Sequence, residues 1–315
     1  MTGKGRTRAG RTRTGLALAA AGLAPGLAQA HAEGVPSLAT AWTLSPLLLV
    51  PLLAFAGLYV AGLRRLWRGG HAGRGISRAE ALAFAGGMAT LFLATVWPFD
   101  ALGGWSLAAH MAQHMLLLAL APPLLLAARP RAALAAALPP AWSRVLHRVA
   151  RACQVRPLQS LAAATTANVV VMWGWHMPAT LALALGSKPV HWLMHASFLA
   201  AGLWLWTLLW RRLRDDAAGG ALAGTVAIVV VMMQMGFLGA LLTFSRRVLY
   251  PFYAGRAPEL GLDPLVDQQL AGLVMWVPSC LPYLAGAVWL LAREFGRQHR
   301  PAARRQSGGE EVDGR

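Results

Sequence analysis

Two histidine pairs carry the chemistry this sequence offers. His110 and His114 lie in SLAAHMAQHMLLLALAPPLLLA, and His191 and His195 open HWLMHASFLAAGLWLWTLLW. Residues four apart on a helix sit one above the other on the same face. Each pair can therefore aim two imidazoles at one point, with room for a metal ion or a haem between them. Both stretches are otherwise apolar enough to cross a bilayer, where ionisable groups are costly and are functional candidates by default. The competing explanation is that a histidine near a helix end simply meets water or headgroups. That explains one histidine readily and two i, i+4 pairs poorly.

The elements that hold these residues must fold in lipid. The chain has 315 residues, of which 57% are hydrophobic and 13% charged, and its mean hydropathy is +0.49. A soluble domain carries about 25% charged residues, so the composition predicts a polytopic, all-α membrane bundle. The formal net charge of +17 would suggest nucleic acid in a soluble chain. Here the basic residues fall in the gaps between apolar runs, where membrane orientation requires them, and nucleic acid is discarded as a partner. Cys153 and Cys280 are the only cysteines, with no Cys-x-x-Cys. Any metal chemistry must then use nitrogen, oxygen or thioether donors.

Residues 1–30 read as a secretory signal, with a basic start, an apolar core from Leu16 to Ala24 and Ala28-Gln29-Ala30 as a cleavage site. Cleavage would make His31 the N-terminus, able to chelate copper through amine and ring together. Residues 31–41 form a short outer stretch, 42–292 the transmembrane domain and 293–315 a basic, then polar tail. About 20 apolar residues span the hydrocarbon core as a helix. Seven such runs are placed at Trp42–Leu63, Ala79–Phe99, Leu107–Ala127, Leu158–Trp175, His191–Trp210, Ala221–Phe244 and Leu270–Ala292.

Arginines set the orientation. Arg64, Arg65, Arg68, Arg74 and Arg78 follow the first span. Arg129, Arg131, Arg144, Arg148, Arg151 and Arg156 follow the third, Arg211, Arg212 and Arg214 the fifth, and more follow the seventh. The alternate loops hold only Lys188, Arg246, Arg247 and Arg256. The positive-inside rule then puts the mature N-terminus outside and the C-terminus in the cytoplasm. His110, His114, His176, His191 and His195 all fall at the outer ends of their spans, with His114 and His195 roughly 6 Å deeper than their partners at 1.5 Å per residue. That is the shape of a pocket open to the outside.

Other groups gather at the same level. Asp100 follows the second span, and the loop from Ser245 to Gln269 carries Tyr250, Tyr253, Asp267 and Gln268. Asp267 stands just before the seventh span, where it can cap that helix or serve the metal site. The outer tryptophans, among them Trp97, Trp105, Trp173 and Trp175, read as an interfacial belt. Met111 and Met115 share the neighbourhood of the first histidine pair, and thioether with imidazole suits copper, above all Cu(I), better than zinc. Met232, Met233 and Met235 read as packing residues. Pro122-Pro123 is expected to kink the third span, and Pro278 and Pro282 the seventh. The connection from Ala128 to Gln154 is expected to lie as a basic amphipathic helix on the anionic inner leaflet.

Together HMAQHMLL with its Pro-Pro sequel, WGWHMP, HWLMHASFLAAGLWLW, LYPFYAG and PLVDQQLAGLVMW resemble the CtaG-type cytochrome c oxidase assembly factors of bacteria, over roughly residues 42–292. The resemblance implies a seven-span plasma-membrane protein needed to build an active haem-copper oxidase, with copper handling as the step it serves. His110, His114, His176, His191, His195, Asp267 and Gln268 match the family's motifs. On that footing His110, His114, His191 and His195 are expected to bind copper, with His176 and Met111 or Met115 as exchangeable ligands. Asp267, Gln268, Asp100 and Tyr250 are expected to orient the imidazoles. The expected partners are an oxidase subunit or another copper carrier, and membrane lipid. Two rivals stay open: a membrane zinc hydrolase using His110, His114, His195 and Asp267, and a bis-histidine haem protein pairing His114 with His195.

Overall fold

A computed structural model describes residues 34–68, 73, 75–152, 155–214 and 220–309. The signal-like segment, His31, His71, Arg74 and Cys153 lie outside the described residues, as do the side chains from residue 297 onward, including His299 and the tail arginines. All regular structure among the described residues is helical. In order, α1 runs Pro46–Leu66, α2 Arg78–Thr95, α3 Phe99–Leu102 and α4 Leu107–Met115. A π-helical turn, Leu116–Leu120, joins α4 to α5 (Ala121–Ala127). There follow α6 (Pro130–Ala137), α7 (Pro140–Ala152), α8 (Leu161–His176), α9 (Pro178–Gly186), α10 (Lys188–Arg214), α11 (Gly220–Thr243), α12 (Pro251–Ala254) and α13 (Pro264–Gly309).

Six helical stretches are long and apolar enough to cross a membrane, and α8 with α9 makes a seventh if that pair, bent by 75°, is one span. The fourth span, expected at Leu158–Trp175, is thus shorter and broken. Ser160 caps α8 through the Ala163 amide, 3.2 Å away. Pro178 then disfavours helical backbone at Met177, which is extended with ψ 134°. Residues on the outside of the bundle, such as Leu47, Val50 and Leu53 on α1 and Leu222, Val226 and Phe237 on α11, are exposed and apolar, as a lipid-facing surface must be.

The span formed by α4, the π turn and α5 is the centre of the bundle. In its most apolar window 61% of residues are buried, against 11% for α1. It packs on α2, on α10 and on α13, while α11 joins α13 and α8, and α1 rests mainly on α6. Close approach depends on small residues, as membrane helices without a hydrophobic drive between them require. A Cβ on Gly202 of α10 would lie 2.5 Å from the Leu118 carbonyl oxygen and 2.8 Å from Pro122 Cγ, so only glycine lets α10 touch the π turn. At the α11–α13 crossing a Cβ on Gly239 would come within 2.8 Å of the Gly272 carbonyl oxygen.

The prolines of the third and seventh spans lie within helix. α13 continues as helix through Pro278 and Pro282. Pro278 has no N–H for the Val274 carbonyl, and the Ser279 hydroxyl donates to that oxygen instead at 2.9 Å. Ahead of Pro122-Pro123 the chain widens into the π turn, which absorbs the proline clash.

The single amphipathic helix expected between Ala128 and Gln154 is two helices. Leu138 is extended ahead of Pro139, and the two halves take different roles. α6 is held to α1 by Arg65, whose guanidinium donates to the Ala136 and Ala137 carbonyls at 2.9 Å each. α7 keeps the expected character, with Trp142, Val145 and Val149 exposed along one side and Arg144, Arg148 and Arg151 along the other.

Candidate metal centre

The centre begins with the start of α4. Leu107, Ala108 and Ala109 have no intrahelical acceptor for their amides, and side chains supply one for each. Asp267 Oδ2 accepts from the Leu107 amide at 2.6 Å, Asp267 Oδ1 from the Ala108 amide at 3.3 Å, and Ser106 Oγ from the Ala109 amide at 3.2 Å. The Ser106 hydroxyl in turn donates to Asp267 Oδ1 at 2.6 Å. Asp267 is buried on α13, so its charge sits at the positive end of the α4 dipole in a dry setting. This fixes the depth and direction of the helix that carries His110, Met111 and His114.

The structure brings all five histidines of the apolar runs to one end of the bundle. His110 and His114 rings are 4.3 Å apart between centroids, His110 lies 5.6 Å from His191 and 6.0 Å from His195, and His114 lies 5.6 Å from His195 and 5.4 Å from His176. One nitrogen each of His110, His191 and His195 falls within 4.8 Å of the others. His191 is the partly exposed member of the group, and the other four are buried.

Hydrogen bonds define the tautomers. His110 Nδ1 meets the Gly103 carbonyl at 3.2 Å and His176 Nδ1 the Met172 carbonyl at 2.6 Å. A carbonyl only accepts, so both Nδ1 atoms carry the proton and both Nε2 atoms present lone pairs. His176 Nε2 faces Met111 Sδ at 3.0 Å. His191 Nε2 and His195 Nε2 are 3.2 Å apart. Two nitrogens bound tetrahedrally to one ion at the usual 2.0–2.1 Å lie about 3.3 Å apart, so this pair already has a ligand spacing, and His110 must draw in to join it. His110 Nε2 and both nitrogens of His114 have no hydrogen-bonding partner among the described residues although no solvent reaches them. Each such orphan costs about 1–3 kcal/mol. A ligand that accepts lone pairs removes that cost at His110 Nε2 and at the unprotonated nitrogen of His114, so the donor set fits a metal ion bound by imidazole.

The groups expected to orient the imidazoles do so at one remove or not at all. Asp267 does not cap α13, which starts earlier, at Pro264; Asp263 caps it through the Leu265 and Val266 amides at 2.9 and 3.0 Å. Asp267 serves α4 instead. Gln268 accepts from the Leu249 amide at 2.6 Å and donates to the Arg247 carbonyl at 3.1 Å, pinning the outer loop rather than a ring. Asp100 accepts from Gln113 Nε2 at 2.8 Å, and that nitrogen lies 3.5 Å from His195 Nδ1. Tyr250 donates to the His176 backbone carbonyl at 2.6 Å, and burial pushes its phenol up to about 12, which keeps it a donor. Of the two methionines, Met111 places its sulfur on an imidazole, while Met115 packs in the core.

Several residues of the site were not picked out by spacing. Tyr253 donates to the same Gly103 carbonyl as His110, at 2.8 Å. Gln113 also donates to the Ala94 carbonyl at 2.7 Å, tying α4 to α2. Phe198 stacks on His114 at 4.3 Å. Gln113 had a signal, being a third polar residue within HMAQH, whereas Gly103 and Phe198 had none. Trp173 and Trp175 are not simply interfacial anchors: they donate to Gln234 at 3.0 Å and Ser197 at 2.8 Å, fastening the end of α8, and so His176, to α11 and α10.

An all-helical, multi-pass membrane protein with five imidazoles packed together at one end of its bundle is the class that these observations define. The family model for the cytochrome c oxidase caa3 assembly factors (Caa3_CtaG) matches residues 57–296. The chain belongs to that family, whose members are assembly factors for cytochrome c oxidase. Among curated proteins and solved structures none matches.

Proposed function

We propose that this protein is a non-enzymatic assembly factor that holds copper at the imidazole cluster and passes it to a cytochrome c oxidase subunit or to another copper carrier. The observation that carries this reading is His114, fully buried with neither nitrogen partnered among the described residues and three further histidine rings within 5.6 Å of its own. Imidazole with one thioether is a donor set suited to copper. The family resemblance supports a bacterial plasma-membrane location, and the arginine distribution supports a cluster that opens outward, the face on which His191 admits the ion.

The geometry supports the rival readings less well. In a zinc hydrolase that used Asp267 as its carboxylate, both of that residue's oxygens would first have to leave Ser106 and the α4 amides. A haem between His114 and His195 would need open space, and His114 has Phe198 and His110 each at 4.3 Å.

The test is made in cells. His110→Ala and His195→Ala, singly and together, lower oxidase activity and the copper content of the oxidase recovered from the membrane, and added copper partly restores both. Unchanged activity and unchanged oxidase copper in the double variant would remove the reading.

A further inference from the structure

The cluster is not chemically uniform. At the outer end of the cluster His110, His191 and His195 each offer one nitrogen, all within 4.8 Å of one another. On the far side of His114 the nearest donors are different, one imidazole nitrogen and one thioether sulfur, His176 Nε2 and Met111 Sδ at 3.0 Å. That contact is unusual in a way that points to a ligand. His176 spends its proton on the Met172 carbonyl, so Nε2 offers a lone pair, and a methionine sulfur has no proton to give. Two lone-pair donors therefore face each other in a site that solvent barely reaches, His176 being 3% and Met111 0% exposed. A second proton on His176 would reconcile the contact only by placing a charged ring there without a counter-charge, which burial makes expensive. A soft cation bound to both atoms reconciles it directly. Bonds of roughly 2.0 Å to nitrogen and 2.3 Å to sulfur let one ion touch both with neither helix moving.

We propose that the cluster comprises two subsites of different selectivity: an outer, all-nitrogen one of His110, His191 and His195, and an inner thioether–imidazole one of Met111 and His176 that takes Cu(I), with His114 shared between them. The proposal rests on reading the cluster as a copper site and states where Cu(I) goes within it. Thioether ligands favour Cu(I), while zinc and other borderline ions are served by imidazole alone. His114 is the natural shared ligand, since its ring lies 5.6 Å from His195 on one side and 5.4 Å from His176 on the other, neither nitrogen has a hydrogen-bonding partner among the described residues, and its one lone pair can serve either subsite in turn. An ion admitted at His191 moves inward by exchanging imidazoles one at a time, and one that will not bind sulfur stops at the outer subsite.

The experiment uses the full chain purified in detergent, loaded anaerobically with Cu(I) and examined by X-ray absorption at the copper edge, beside Zn(II) titrations. Wild-type protein shows a sulfur scatterer on copper. M111L, a near-isosteric change, loses the sulfur signal and binds Cu(I) more weakly while its Zn(II) affinity stays as in wild type; M115L keeps the sulfur. Copper bound with nitrogen or oxygen neighbours alone in wild type overturns the two-subsite proposal and leaves the copper reading standing. So does an M111L spectrum and Cu(I) affinity equal to wild type. No copper bound at all overturns both. Should M111L fail to fold, the wild-type spectrum alone decides.

Discussion

Asp267 on α13 accepts a hydrogen bond from Ser106 at 2.6 Å, across 161 residues of sequence, and with the same carboxylate it holds the first amides of the helix that bears His110 and His114. The outer loop and the seventh span thereby set the position of ligands on the third. Hydrogen bonds to a charged group contribute about 1.5–3 kcal/mol each.

Asp267→Ala is expected to destabilise the protein by about 2–4 kcal/mol, in the range for removing one partner of a buried charged hydrogen-bonded group. Asp267→Asn, which retains one acceptor, costs less. Ser106→Ala costs about 1 kcal/mol as a lost helix cap. Thermal unfolding of the purified protein in detergent checks the order, with Asp267→Ala the most damaging, Asp267→Asn next and Ser106→Ala the mildest; an Asp267→Ala protein as stable as wild type contradicts it.

His114 should behave oppositely in its two roles. Its two unpartnered nitrogens cost the metal-free fold about 1–3 kcal/mol each, so His114→Leu is expected to leave the metal-free protein as stable as wild type or more so while weakening metal binding. Unfolding midpoints measured with and without copper read both effects. A His114→Leu protein that is markedly less stable without metal would show that the ring serves packing.

Gly202 sets the distance between the two histidine-bearing helices. It lies seven residues after His195 and so on the same face of α10, and it touches Leu118, four residues after His114. Gly202→Ala places a methyl 2.5 Å from the Leu118 oxygen, an overpacking that costs about 1–3 kcal/mol and moves His195 away from His114. Copper affinity is expected to fall although no ligand is altered. Gly174→Ala, whose methyl meets nothing within 4 Å, should leave affinity unchanged, and equal affinities for the two variants would refute the link between helix spacing and binding.

Much of this was legible in advance. The apolar runs showed an all-helical membrane bundle, six of the seven expected spans being single long helices, because each must satisfy its own backbone in lipid, and the i, i+4 spacing placed the four paired histidines on shared faces because helix geometry is local. What spacing could not show is contact between helices. That Asp267 leaves its own helix to cap another, that Trp175 bonds Ser197, and that Gly202 seats on Leu118 are all long-range facts with no local signature. The fourth span is the intermediate case: its apolar run was ended at Trp175, ahead of Pro178, but the short helix Pro178–Gly186 that follows at 75° was not expected.

The inferred orientation is open to direct labelling. With the native cysteines replaced, a cysteine at position 144 is expected to react with membrane-impermeant thiol reagents only after the inner face is opened, and one at position 188 to react in intact cells. Reversed accessibility would place the cluster on the cytoplasmic side and exclude delivery from outside.

Whether the packed imidazoles hold copper is tested most directly by the copper content of protein purified from copper-fed cells, wild type beside the combined His110→Ala and His195→Ala variant. Wild type should carry stoichiometric copper, and the folded variant only background. Equal copper in the two, or none in wild type, would contradict the account.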